Sequence, residues 1–555
     1  MKLMNSAKAR AWFFFIVSCI SAAALFGPHI GAPLVFDDIA YFGSDYITRC
    51  GIGFHGDVPR WWPCWTFAVP RVFLGEDFLH FFRIGNLILH ILTANALFIF
   101  LRKLFTLLIP SEKTSPNSID AMAGIAALIF LLHPISVYAA QYLVERSILM
   151  ATLFSLLMLT AHLRGMETRN PAWFLLSVLC CYLALYSKEH SVMIPFVAAL
   201  LTIALRGREL PWRWLAFTFF AYAFLSISVV LKVKAVIATS YEPQSAEILA
   251  QIASEVKLPH NLYLVSLLSQ SLNFFKYIFF WLVPITSWMS IDIQQSIIDT
   301  TAQPLYWLAA ACFVAWCVVG FSLVWKKGMH ALLGFAMLSP ALLFATEFSS
   351  IRIQEPFVLY RSYLWAPALF AATPLLMYKL KHRYILAIGI VVAASLATLA
   401  HERLKTFDSS YALWNDAVKL AERDNTKTPM RARQYYNRGF AIVRKRPQDA
   451  LADFNRALTF SHKYLQIYQS RGIALMQVGR YLEARISLDQ ALAINPNFTQ
   501  ALLTRSVICS KLGDKACADR DSKKACELGD FLACYYVKKK NHPETKGFSM
   551  RFDKR

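Results

Sequence analysis

The stretch RGIALMQVGRYLEARISLDQALAINP, residues 471–496, reads as two short amphipathic helices joined at Gly479 and closed by Pro496. It has a counterpart on each side, RGFAIVRKRPQDALADFNRAL from Arg438 and RSVICSKLGDKACADRDSKKACELGD from Arg505. Alanines hold the register: Ala450, Ala484 and Ala518 are 34 residues apart, and so are Ala457, Ala491 and Ala525. Small side chains at fixed positions let the two helices of one unit approach closely, so the period predicts a stacked helical array.

A 34-residue helix–turn–helix period is tetratricopeptide-like, and such arrays hold a peptide or protein in a concave groove. Gly472, Tyr481, Ala484, Ala491 and Pro496 make the middle unit the best match, and the flanking units are looser. Upstream the chain changes character. Of 555 residues 57% are apolar and only 17% charged, with a mean hydropathy of +0.42. Soluble proteins carry about 25% charged residues, so an ordinary cytosolic enzyme is excluded, as is bulk disorder. The formal net charge of +22 is unevenly spread: from His401 onward there are 29 Lys and Arg against 16 Asp and Glu. A polytopic membrane domain over 1–400, a basic helical repeat domain over 401–540 and a basic tail over 541–555 are expected.

A crossing helix needs about 20 mostly apolar residues. Such stretches lie near 11–29, 79–108, 121–139, 147–163, 172–187, 190–205, 212–234, 304–325, 331–346, 362–378 and 384–400, about eleven in all. The first, behind Lys2, Lys8 and Arg10, also fits a signal peptide, but its long apolar run favours a retained helix. Basic loops mark the cytoplasmic side. Eleven crossings place Arg102, Lys103, Lys113, Arg164, Arg169, Arg206, Arg208, Arg213, Lys326, Lys327 and the 379–383 group there together. The segment 260–288 is read as re-entrant or surface-lying, since a crossing would move the last two groups outside. The repeat domain then lies outside.

Cysteine spacing agrees with that side. Cys509 and Cys517 have seven residues between them, as do Cys526 and Cys534, a spacing that can face two cysteines across a helical hairpin. CELGDFLAC resembles the cysteine-bridged Sel1-like repeats of secreted bacterial proteins. Two such pairs favour an oxidising compartment. Cys50 and Cys64 could form a third bridge.

Candidate chemistry sits at the outer ends of the spans. LVFDDIAYFGSDYI places Asp37 and Asp38 just after the first helix. Paired carboxylates there can serve as a general base, with repulsion raising one pKa, or can simply cap a short helix. Trp61, Trp62 and Trp65 suit either an interfacial belt or a sugar-packing surface. His133, Glu145, Arg146, Lys188, Glu189 and Arg361 border spans, and charges so placed tend to be functional. Outer cations near lipid headgroups suit the phosphate of a polyprenyl carrier. No Gly-rich phosphate loop, metal-spaced cluster or Ser/His/Asp arrangement stands out. No cofactor or metal is assigned, with a divalent ion left open, and nucleic acid is not an expected partner.

The order LVFDDI, NLILH, HPISVYAAQYLVER, YSKEHSVMIP, YRSYLWAP and the repeat tail resembles the transmembrane and tetratricopeptide-repeat glycosyltransferases. These are relatives of the protein O-mannosyltransferases with the multi-spanning GT-C fold. The linker RLKTFDSSYALWNDAV from Arg403 resembles the family's junction into the repeats. The resemblance implies an all-α polytopic GT-C domain followed by an α-solenoid, with Asp37 or Asp38 as catalytic base. It implies Arg146, Lys188 and Arg361 as donor-phosphate ligands, supported by Asn86, His90, His133, Glu189 and Tyr363. Three positions depart from the family pattern: Trp62-Pro63 for Arg-Pro, Arg83 for a His, and Tyr360 for a Glu. The expected function is transfer of a sugar from a polyprenyl-phosphate donor to a protein hydroxyl, such as a pilin's, outside a bacterial inner membrane. The repeat groove would bring the acceptor in the periplasm. Transfer of a preassembled glycan from a lipid diphosphate, or a non-catalytic scaffold, are the alternatives.

Overall fold

The computed structural model describes residues 7–43, 55–74, 78–110, 114–206, 209–233, 261–295, 300–424 and 428–541, with single residues and pairs between them. The chain is helical, and among the described residues the extended pairing is one antiparallel bridge between Ile293 and Phe357. Two compact units form, one of Met1–Glu247 with Val256–Leu413, the other of Ile248–Glu255 with Trp414–Arg555. The helix His382–Thr406 runs through position 400 without a break, which carries the first unit past that point. Most of the 541–555 tail lies outside the described residues.

Among the described residues seven helices are long and apolar enough to cross a membrane, or eight if Pro116–Leu132 and Pro134–Ala140 are one broken span. Eleven were expected, and the difference has a physical source. Pro171–Ser187, Glu189–Ala204 and Ala366–Met377 are apolar but short, at 17 residues or fewer. The break at His133-Pro134 bends its helix pair by 63°. Pro134 has no N–H to continue the ladder, and the His133 ring accepts from the Ile135 N–H to start the next helix. The stretch 260–288 does not join the set. Its helix Leu262–Leu282 turns Gln270 and Asn273 onto the Pro356 carbonyl, at 3.0 and 3.1 Å.

The core of the first unit is the helix pair Arg146–Thr168 and Pro171–Ser187, with Phe78–Leu108 against the former. The span Leu143–Thr168 is 83% buried by its neighbours, whereas Pro304–Val324 is 17% buried and turns Val314 and Val318 outward. A helix apolar all round belongs in a core or in lipid, and this bundle has both kinds. Gly389 lets His382–Thr406 close onto Pro116–Leu132, where a Cβ would meet Ile125 at 2.4 Å. Basic loops gather at one end. Lys103 pairs with Glu167, Arg169 with Glu209, and Arg206 caps the carbonyl of Trp325. Asp37, Glu145, Lys188 and Arg361 belong to the other end.

In the second unit three helical hairpins follow one another: Arg431–Ile442 with Pro447–Leu458, Leu465–Gln477 with Tyr481–Ile494, and Thr499–Lys511 with Lys515–Glu527. Ala450, Ala457, Ala484, Ala491 and Ala525 have no exposure, so the periodic alanines are the packing positions. Gly479 and Gly513 end the first helices of their hairpins at φ +78° and +82°, values that favour glycine. Cys509 is bonded to Cys517 and Cys526 to Cys534. An arginine recurs at one register and ties neighbouring helices. Arg438 spans Asn415 and Asp453, Arg471 reaches Asn455, and Arg505 bridges Asp489 and Asp521.

Asp521 is 2% exposed and depends on Arg505. Arg505→Ala therefore strands a buried carboxylate and is expected to destabilise the array by about 3 kcal/mol. Arg480→Ala, which removes an exposed pair with Glu483, is expected to leave it unchanged. Limited proteolysis of the full-length protein reads the difference as faster cleavage within 499–541 in the first variant alone.

Candidate functional site

The site begins where the first long helix ends. The chain runs from Gly27–His29 into the short helix Asp37–Gly43, and Phe36 between them holds φ at +52°, a left-handed value uncommon for an aromatic residue. The two aspartates then take different surroundings at the start of that helix. Asp38 points inward with no exposure, accepting the Val144 N–H at 3.0 Å and the Val35 N–H at 3.5 Å. Asp37 stays exposed while its backbone N–H donates to the Tyr142 hydroxyl at 3.1 Å.

Asp38 is pushed up to about 7, first by burial and against the Val144 N–H and the nearby Arg83 cation, which pull it down. Mutual repulsion is therefore not the main cause. Asp38 fastens its loop, and Asp37 is the exposed member of the pair. Arg83, standing where a histidine was expected, spends its guanidinium on the carbonyls of Ala32, Pro33 and Gln141. It clamps the same loop from below.

Around Asp37 stand Tyr142 and Tyr360, whose rings lie 5.8 Å apart, and both phenols are raised by burial and further by the Asp37 charge. Lys188 Nζ sits 5.8 Å from the Tyr360 ring, and donates to Glu145 at 3.0 Å and Ser147 at 3.4 Å. The next residue, Glu189, turns the other way and takes a two-pronged contact from Arg60. Arg361 donates to Glu347 at 3.3 Å and to the Glu355 carboxylate at 3.2 Å. Glu347 also receives Arg352 at 3.3 Å and lies 3.3 Å from His190. Arg361, which follows Tyr360, thus pairs with two acids, Glu347 and Glu355.

Arg146 is placed differently from Lys188 and Arg361. It donates to Asn86 at 2.8 Å, to Thr66 at 3.1 Å and to the Phe82 carbonyl at 2.6 Å, with its guanidinium 3.8 Å from the Phe67 ring centre. It braces helices rather than facing a ligand. Asn86 extends the brace to the Tyr142 and Leu143 carbonyls. His90 and Tyr363 meet at 2.7 Å deeper in the bundle, and His133 stacks on Trp281 at 4.3 Å. Cys64 is disulfide-bonded, and Cys50 lies outside the described residues.

Beside Glu189 a mostly apolar cavity of about 430 Å³ opens, lined by Val192, Val229 and Val233 together with Arg60, Glu189, His190 and Arg352. Glu347, Arg352 and Glu355 were not singled out from sequence. The available signal was Glu347, a lone acid at the end of an apolar helix. Among the described residues, the three His, Cys, Asp or Glu side chains close enough to share a metal are Cys509, Asp514 and Cys517. Two of them are joined as a disulfide.

No protein-family model and no curated protein matches this chain. Among solved structures, one described as "Crystal structure of APC/C hetero-tetramer Cut9-Hcn1" is similar over 85% of this chain and 98% of its own. It shares 14% identity at a TM-score of 0.23, values that carry no functional argument.

The raised Asp38 carboxyl makes a pH prediction. The folded loop holds this proton more tightly than the unfolded chain, whose carboxyl titrates near 3.8. Ionisation thus works against the fold, and the 36–43 loop is expected to loosen as pH rises from about 4 through about 7. Hydrogen exchange of these amides, corrected for intrinsic rates, should show protection falling over that range in the wild type. Asp38→Asn should remove the slope, and equal slopes would refute the assignment.

Proposed function

We propose that this protein is a GT-C-type transferase that moves a sugar from a polyprenyl-phosphate donor to a protein hydroxyl. The observation that carries the proposal is the turn Ser187–His190. On one side Lys188 and the exposed Asp37 both lie near Tyr360, and on the other Glu189 and His190 border a mostly apolar cavity whose lining also holds Arg60 and Arg352. A donor with an isoprenoid tail and an anionic head needs an apolar surface and nearby cations. The apolar lining of the cavity suits the tail, and Lys188 and Arg361 suit the phosphate.

In this mechanism Asp37 accepts the proton of the acceptor hydroxyl as its oxygen bonds to the anomeric carbon. The bond from that carbon to the phosphate oxygen breaks, and the lipid phosphate leaves with the electron pair. Lys188 and Arg361 stabilise the departing charge by loosening from Glu145 and Glu355. Asp38, Arg83, Asn86 and Arg146 hold the geometry. The basic repeat unit would bring the acceptor, with both active end and repeats on the outer side of a bacterial inner membrane, where the two tail disulfides persist.

The test uses membranes containing the full-length protein and a labelled polyprenyl-phosphate sugar. Asp37→Asn is expected to lower label transfer into protein by about 100-fold or more, the contribution of a positioned base. Asp38→Asn, which keeps an oxygen for the Val144 N–H, is expected to retain most activity. Wild-type transfer by inserted, folded Asp37→Asn would overturn the proposal.

A further inference from the structure

At the basic end of the first unit, away from Asp37, lies a larger cavity of about 860 Å³. Its walls come from the end of Phe78–Leu108, the start of Pro116–Leu132, the end of Ile194–Ala204 and the turn before Met329–Phe344. Leu107, Leu108, Leu205 and Met329 make part of the wall apolar. Among its described lining residues the one carboxylate is Asp120, already held by both Arg10 and Arg102. Lys327 and His330 line it without an ion-pair partner among the described residues. Thr114 places a buried hydroxyl there with no hydrogen-bond partner among the described residues. A second cavity of about 390 Å³ shares Thr114 and adds Lys379, Lys381 and Arg383.

Cationic lining, a neutralised acid, an unsatisfied hydroxyl and apolar walls at the end of a helical bundle describe a receptor for a phosphate attached to something apolar. Basic pockets between membrane helices take anionic headgroups for this reason. We propose that this cavity binds a phosphate group, presented by an anionic lipid, with Lys327 and His330 as its charged contacts and Thr114 as a hydroxyl donor. The site is separate from the Asp37 end and does not rest on the reaction proposed there.

Purified full-length protein is tested by native mass spectrometry with three probes: phosphatidylglycerol, phosphatidylcholine and inorganic phosphate. Phosphatidylglycerol is expected to be retained in preference to phosphatidylcholine. Lys327→Gln combined with His330→Gln should weaken its retention by about fivefold or more, since one Lys near a membrane surface contributes roughly 1 kcal/mol. Both residues are exposed at the rim, so the double variant keeps the fold, and Lys327→Arg should retain the lipid. Displacement of the lipid by inorganic phosphate would support the phosphate site and show that it also accepts the free ion. Equal retention by wild type and double variant, or of both lipids by the wild type, would overturn the proposal.

Discussion

Glu145 and Lys188 face each other at 3.0 Å with 4% and 6% exposure, and the end of the bundle that carries Asp37 depends on that pairing. Removing one partner of such a pair leaves an uncompensated buried charge, typically worth about 3–5 kcal/mol. The pair also fixes two helix ends against each other. Glu145 immediately precedes Arg146–Thr168, and Lys188 immediately follows Pro171–Ser187. Once these ends are joined, Glu189 and His190 have only one direction in which to point. The neighbouring Glu347 then draws Arg352 and Arg361 into the same layer.

A division of labour follows from this layer. Nearly every polar group at this end is committed to another part of the protein: Arg83 and Asp38 to the first loop, Asn86 and Arg146 to the helices beneath it. Asp37, one residue after the left-handed turn at Phe36, is exposed. Strain of this kind persists where surrounding structure over-determines it, and it clusters at functional positions. The opposite end of the bundle has a different economy, with many cations, a single neutralised acid in the large cavity and apolar walls.

Much of this was legible in the sequence, and the rest was not for physical reasons. Periodic alanines such as Ala484 and Ala491 mark helix contacts directly, because close packing tolerates no larger side chain there. Apolar length marked the long spans. It failed for Pro171–Ser187 and Ala366–Met377, which are apolar enough but too short, since a buried segment and a crossing segment have the same composition. The acidic pair was visible as a pair. The buried aspartate is the one whose partner is Val144, more than a hundred residues away, and that partner is not written in the local sequence. Likewise Arg146 and Arg361 look alike in a span-end list, yet one is consumed by Asn86 and the other held by Glu347 and Glu355. Long-range partners decide such roles.

In the proposed reaction Asp37 and the charged layer behind it would add sugar to proteins outside the membrane. Intact mass of envelope proteins, compared between cells producing the wild type and cells producing Asp37→Asn at equal levels, tests it most directly. The account predicts at least one protein heavier by the mass of a sugar residue in the first sample alone. Identical masses throughout, with both forms inserted and folded, would contradict it.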